Sequence, residues 1–131
     1  RYQIYQPHAP REYKFRNDWT EFCVPGWQQL TGKELCINTK SCKDVMCLRS
    51  FGYDAVSPRS ENILLPVEAV SAMKKRFKRI ITLFDNDGKH SAHKYEFEQR
   101  FIPIESGTKD VSDFCAKYGP EKTAELLKQL L

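Results

Sequence analysis

Two aspartates spaced one apart, Asp85 and Asp87, close an apolar run in "IITLFDNDGKH", residues 80 to 90. In an extended chain, residues i and i+2 point the same way, so the two carboxylates converge if the strand continues through Asn86. Carboxylates held close repel, which raises one pKa, and a hard divalent cation relieves the repulsion. Mg²⁺ suits such a place: one or two carboxylates hold it, with water and substrate phosphates filling its shell, and Mn²⁺ can substitute. Asp-Asn-Asp-Gly is equally good turn chemistry, so spacing alone leaves a solvated polar turn as open as a metal site. His90 and His93 stand nearby, but without cysteines at ligand spacing a histidine metal site is disfavoured.

The elements that would carry these aspartates follow from periodicity. From Leu35 the chain alternates strands and helices. "ELCIN" is a short apolar run, "KDVMCLRSF" reads as a helix stopped by Gly52, and "YDAVS" is the next strand. "PRSENILL" is a loop. Pro66 is suited to a helix's first position, and Val67, Val70, Met73 and Phe77 recur on one apolar face. "RIITLF" is the near-continuous apolar run of a strand covered on both sides. "SAHKYEFEQ" is predicted helical, and "RFIPI" a strand that Pro103 confines to an edge or an end. "DVSDFCAKY" makes a helix closed by Gly119, and Pro120 opens a last helix with Ala124, Leu127 and Leu131 on one face. Residues 1–30 differ: "YQIYQP" and "REYKFRND" suit two short strands, with Tyr13 and Phe15 sharing one face. This aromatic β arm is either a flap or the end of a preceding domain, and residues 31–131 form the α/β domain.

Such an alternation implies a mostly parallel central sheet flanked by helices, a three-layer sandwich. Ligands of such sheets bind outside the carboxyl ends of the strands. Asp44, Asp85, Asp87, Asp110 and Asp113 all fall at that edge. Lys40, Ser41, Lys43 and Arg59 are predicted there too.

At 131 residues, 40% apolar and 29% charged, the chain reads as one soluble globular domain. No stretch approaches a membrane span of ~20 apolar residues. No signal peptide is visible, and five cysteines without a CxxC pair suit a reducing, cytoplasmic setting, so the protein is expected not to be secreted. Cys36 and Cys47 read as buried small hydrophobes. Opening on Arg1 rather than Met, the chain is expected to be a piece of a longer one. The net charge of +4 is mild support for a polyanionic partner. "KKRFKR", residues 74 to 79, reads best as a solvated helix end. Arg11, Lys14 and Arg16, interleaved with Tyr13 and Phe15, suit nucleic-acid binding by stacking and charge, or an ordinary two-stranded ribbon.

"KSCKDVMCL", "LFDNDG" and "GTKDVSDF", in that order on a βα ladder, resemble the Toprim domain of DnaG-type and phage or plasmid DNA primases, a domain shared with topoisomerases and some nucleases. The resemblance covers about residues 35 to 118. It implies that Asp85 and Asp87 are the metal-binding Asp-x-Asp, with Asp44 and Asp110 matching further acidic positions of the metal site. It implies Mg²⁺-dependent nucleotidyl transfer, RNA primer synthesis on a single-stranded DNA template from nucleoside triphosphates, with Lys40, Ser41, Lys43 and Arg59 as the phosphate-binding residues. It also implies a bacterial or phage-infected cell and a replicative helicase in cis or in trans.

This chain departs from the family at three positions. Lys40 stands where the family has its catalytic glutamate, Ser41 where it has glycine, and His90 where it often has glycine. A charged lysine cannot coordinate Mg²⁺ but can act as a point charge on phosphate, so Lys40 joins Asp85 and Asp87 as a candidate catalytic group. Glu34 lies at the other end of the strand, roughly 20 Å away at ~3.3 Å per residue, whereas Glu61 is a possible substitute acid. Two alternatives stay open: a Toprim module with impaired catalysis that binds nucleic acid or a replication partner, and a Toprim nuclease.

Overall fold

The computed structural model of the protein describes residues 3–18, 22–60, 63–87 and 92–131. In chain order the strands are β1 (Gln3–Tyr5), β2 (Phe15–Asn17), β3 (Leu35–Thr39), β4 (Asp54–Val56), β5 (Arg79–Phe84) and β6 (Glu98–Phe101). The helices are α1 (Cys42–Ser50), α2 (Val67–Arg76), α3 (Val111–Tyr118) and α4 (Pro120–Leu130). β3 to β6 form one four-stranded sheet in the order β4-β3-β5-β6, with every pairing parallel. β1 and β2 form a separate antiparallel pair.

The alternation of side chains along β3 and β5 divides the core into two halves. Cys36, Val56 and Phe84 face one way and pack with Ala69, Met73 and Phe77 of the α2 segment and with Leu65, Ala92 and Tyr95. Ile37, Ala55 and Leu83 face the other way and pack with Val45 and Leu48 of α1, Val111 of α3 and Leu127 of α4. Helices therefore cover both faces, as a parallel sheet requires.

Four expectations from periodicity need correction. The segment from 91 to 99 is not a helix. Only a single turn, Ala92–Lys94, is helical, and the chain then extends into β6 beside β5. The reason is tertiary: Tyr95 is buried, its hydroxyl accepts the Leu65 N–H at 2.9 Å, and its ring stacks on Phe97 at 5.7 Å. In the arm, the second strand is shortened by a helical turn at Arg11–Tyr13, and Phe15 stacks on Tyr5 across the hairpin rather than sharing a face with Tyr13. On α2 the buried line runs through Ala69 and Met73, one turn apart, which leaves Val67 79% exposed. Cys36 is buried as expected, but Cys47 is only partly so.

The "KKRFKR" cations sit at the amino end of the sheet and serve local structure. Arg76 donates to Leu30 O at 2.8 Å, Lys78 pairs with Glu34, and Arg79 with Glu98. Glu34 is accordingly engaged at the edge opposite the candidate site.

Residues 24–33 strap the outer side of β4. Ser57 N donates to Pro25 O at 3.1 Å. Asp54 accepts from the backbone N–H groups of Thr31, Gly32 and Lys33 and from the Thr31 hydroxyl. Burial alone would raise the Asp54 carboxyl, but these bonds outweigh it and hold the group below its usual range. Gly26 has a φ of +87°, and a Cβ there would meet Ala55 O at 2.2 Å and Val45 Cγ1 at 2.9 Å. Substitution Gly26→Ala should therefore cost about 2 kcal/mol or more, from left-handed strain plus a backbone clash. Urea denaturation of the variant checks this; an unchanged midpoint would show that the strap is not pressed onto β4.

Candidate functional site at the carboxyl edge of the sheet

The chain leaves β3 through α1 to reach β4 on one side, and later leaves β5 to reach β6 on the other. The carboxyl ends of β3 and β5 therefore diverge, and that switch point is where open parallel sheets hold ligands. Lys40 follows β3 and Asp85 follows β5. Their side chains meet there: Lys40 Nζ donates to Asp85 Oδ2 at 2.8 Å, and the two side chains are only 15% and 12% exposed.

The strand does not continue through the aspartates. β5 ends at Phe84 and a turn follows at Asn86 and Asp87, leaving Asp85 buried and Asp87 exposed. The i, i+2 argument for convergence thus lapses. The turn that the sequence left open is the conformation present, and Asn86 fixes it. Its Nδ2 donates to Ile102 O at 2.8 Å and Thr108 O at 2.9 Å, and its backbone N–H to Lys109 O at 3.2 Å. An amide between two carboxylates was the available signal, since only the amide can donate.

A second cluster forms where the amino ends of α1 and α3 meet. Ser41 caps α1: its Oγ accepts the Asp44 N–H at 3.2 Å and lies 2.6 Å from Asp44 Oδ2. Asp110 caps α3 by accepting the Asp113 N–H at 2.8 Å. Both are the capping chemistry that favours Ser and Asp before a helix. Ser112, another residue the sequence did not point to, joins the caps, its Oγ 2.8 Å from Asp44 Oδ1 and 2.8 Å from Asp110 Oδ1. Lys43 bridges Asp110 at 3.1 Å and Asp113 at 2.9 Å.

These contacts move the titrations apart. Burial pushes Asp44 up to about 6, with the Asp110 charge adding to it against the Ser41 and Ser112 hydrogen bonds. Burial acts the same way on Asp110, but the Asp113 N–H, Ser112 and Lys43 outweigh it and hold that carboxyl low. Burial works against the Lys43 charge, and its bonds to Asp113 and Asp110 reverse this and raise it. One hydroxyl proton on Ser112 cannot serve two carboxylates, which fits Asp44 being the one that takes up a proton.

The residues expected to share a metal are therefore divided. Asp85 is held by Lys40, while Asp44 and Asp110 are tied to each other through Ser112 and to Ser41 and Lys43. Among the described residues, no group of three or more His, Cys, Asp or Glu is placed to hold a metal ion. As arranged, the carboxylates do not fit a resident Mg²⁺ or Mn²⁺. Arg59 is half-buried beyond β4 and lines a pocket of about 200 Å³ with Cys23, Ile63, Leu64 and Pro66. Lys109 and Lys117 line an open cleft of about 520 Å³ beside Asp113. Arg11 and Arg16 stand exposed on the hairpin, and Lys14 is half-buried there. Glu61 and His90 lie outside the described residues, and His93 is exposed in the turn after them.

No protein-family model matches the chain, and no curated protein matches it. Among solved structures, it is similar to a chain in the structure of bacteriophage T7 lagging-strand DNA polymerase interacting with primase domains of two gp4 subunits bound to an RNA/DNA hybrid and dTTP. The identity is 18%, the TM-score 0.56, and the match covers 89% of this chain and 51% of that one. This chain thus spans about half the length of the one it matches, and at this identity the likeness is one of fold. The expected α/β architecture, a Toprim-like parallel sheet between helices with a small β arm, is the one the chain adopts. No described helix is long and apolar enough to cross a membrane.

The Asp44 titration carries a pH signature. Its native pKa of about 6 lies above the ordinary 3.8, so between those values the native state binds more protons than the unfolded state. Stability from this group is fully present below about pH 4 and declines as pH rises through 6, by on the order of 2 kcal/mol. Asp44→Asn should remove that decline. Denaturant midpoints from pH 4 to 7 test it, and parallel slopes in variant and wild type would refute the shift.

Proposed function

We propose that the chain is the Toprim-like domain of a phage-type DNA primase, working within a longer replication protein on single-stranded DNA and nucleoside triphosphates. The observation that carries this is the fold likeness, over 89% of the chain, to a structure that includes primase domains with an RNA/DNA hybrid and dTTP. Support comes from the carboxyl edge of the sheet, the place this fold class uses for ligands, where Lys40 lies at the switch point and Ser41 and Lys43 in the adjoining cluster. In nucleotidyl transfer a 3′-hydroxyl attacks the α-phosphorus of a nucleoside triphosphate, a P–O bond forms, and pyrophosphate leaves. The part these lysines would take is to place and neutralise the triphosphate as point charges. Each already holds a carboxylate, so an incoming phosphate competes with Asp85 or with Asp110 and Asp113.

The Lys40–Asp85 pair favours a second reading, a module that binds nucleic acid or a replication partner without completing the transfer. Template-directed incorporation of labelled ribonucleotides separates the two, since product supports the first and binding without product supports the second.

Both readings use the arm as a nucleic-acid surface. Tyr5 and Phe15 stack at 5.0 Å and are 55% and 54% exposed, with Lys14 Nζ 5.9 Å from the Tyr5 ring centroid. Exposed rings beside cations are the pattern of single-strand binding, in which bases stack and ammonium groups track the backbone. Replacing Arg11, Lys14 and Arg16 with Ala should weaken binding of a labelled single-stranded oligonucleotide about tenfold at low salt. It should also flatten the salt dependence by roughly 2 in the log–log slope. Fluorescence anisotropy reads both, and wild-type affinity in the triple variant would remove the arm from the interface.

A further inference from the structure

We propose that Lys40 is the resident cation of Asp85: its ammonium occupies the place that a divalent ion would take at the switch point, so the edge meets phosphate without a metal held by Asp85. Three observations converge on this. The ammonium lies 2.8 Å from Asp85 Oδ2, hydrogen-bonding distance for a charge-assisted pair. Both side chains are largely withdrawn from solvent, at 15% and 12% exposure, where opposite charges attract more strongly than in water. Three further carboxylates of this edge are engaged away from Asp85: Asp44 by Ser41 and Ser112, Asp110 by Ser112, Lys43 and the Asp113 N–H, and Asp113 by Lys43.

The chemistry makes the replacement exclusive. A charged lysine has no lone pair to offer a metal. Mg²⁺ requires near-octahedral oxygen ligands with retained waters, and an ammonium already bound to the same carboxylate blocks that shell and repels the dication. An ammonium and a dication therefore compete for Asp85. A site with the lysine takes an anionic oxygen, as on a nucleotide or nucleic-acid phosphate, against a fixed single charge. The same geometry makes Lys40 the residue that decides metal uptake, because its removal frees Asp85 Oδ2 for another cation.

The inference rests on reading the carboxyl edge as the functional site, and not on the primase assignment. Its test is Mn²⁺ titration, followed by electron paramagnetic resonance, of wild type, Asp85→Asn, Lys40→Gln and the double variant. Wild type, Asp85→Asn and the double variant should take up Mn²⁺ equally weakly, whereas Lys40→Gln alone should gain a site about tenfold tighter. A wild-type Mn²⁺ site that disappears in Asp85→Asn overturns the proposal, as does a Lys40→Gln variant that folds and gains nothing. If Lys40→Gln fails to fold, the comparison of wild type with Asp85→Asn decides alone: equal uptake supports the proposal and loss of uptake sinks it. Oligonucleotide binding in excess chelator is read in parallel. Its absence counts against the function proposed above and leaves the Mn²⁺ comparison standing.

Discussion

Burial of β3 and β5 on both faces is the constraint from which the other features follow. A strand covered above and below cannot present side chains from its middle, so chemistry is confined to its ends. The amino ends are taken up by structural ion pairs such as Lys78 with Glu34 and Arg79 with Glu98. The carboxyl ends carry Thr39, Lys40 and Ser41 on one strand and Asp85 on its neighbour. Even the last residue of β3 serves this end, because the Thr39 hydroxyl donates to Leu83 O at 2.9 Å and ties the two strand ends together.

Charge at this edge is organised as two neutralising groups rather than one. Near β3 and β5, a single lysine meets a single aspartate in a shielded place. At the amino ends of α1 and α3, Lys43 and two serines meet three aspartates, and helix dipoles favour the negative charge there. The two groups answer differently to their surroundings. The second holds a buried carboxyl that takes up a proton within reach of mild acid, whereas the first is a direct pair of opposite charges. A ligand bringing negative charge enters competition with carboxylates at both, and a proton or a cation shifts that balance.

Much of this fold was legible because parallel strands announce themselves. "LCI" and "IITLF" are short, nearly unbroken apolar runs, and α1, α3 and α4 begin at Ser41, Asp110 and Pro120, residues whose capping chemistry is local. What was not legible depended on partners distant in sequence. The segment after the aspartates has helical composition, yet Tyr95 is drawn under the sheet by the Leu65 N–H, thirty residues away. Around the two aspartates the sequence left an extended end and a turn equally open, and what decides for the turn is Asn86 donating to carbonyls at 102 and 108. Lys40 was visible as a departure from the resembled pattern. Its meeting with Asp85 was not, since it depends on the register that sets Thr39 beside Leu83.

The strap over β4 has a consequence for assembly. A parallel sheet ends in strands whose backbone groups can template another chain, and proteins must shield them. On one side Pro25 and Gly26 run against β4 and take its outward Ser57 N–H, while Asp54 gathers three backbone amides. On the other side β6 is four residues long, carries Glu98 and Arg100, and gives way to Pro103. Lateral growth of the sheet is discouraged from both directions. A larger complex would have to be built through side-chain surfaces, and the exposed rings of the β1–β2 hairpin are among those this architecture offers.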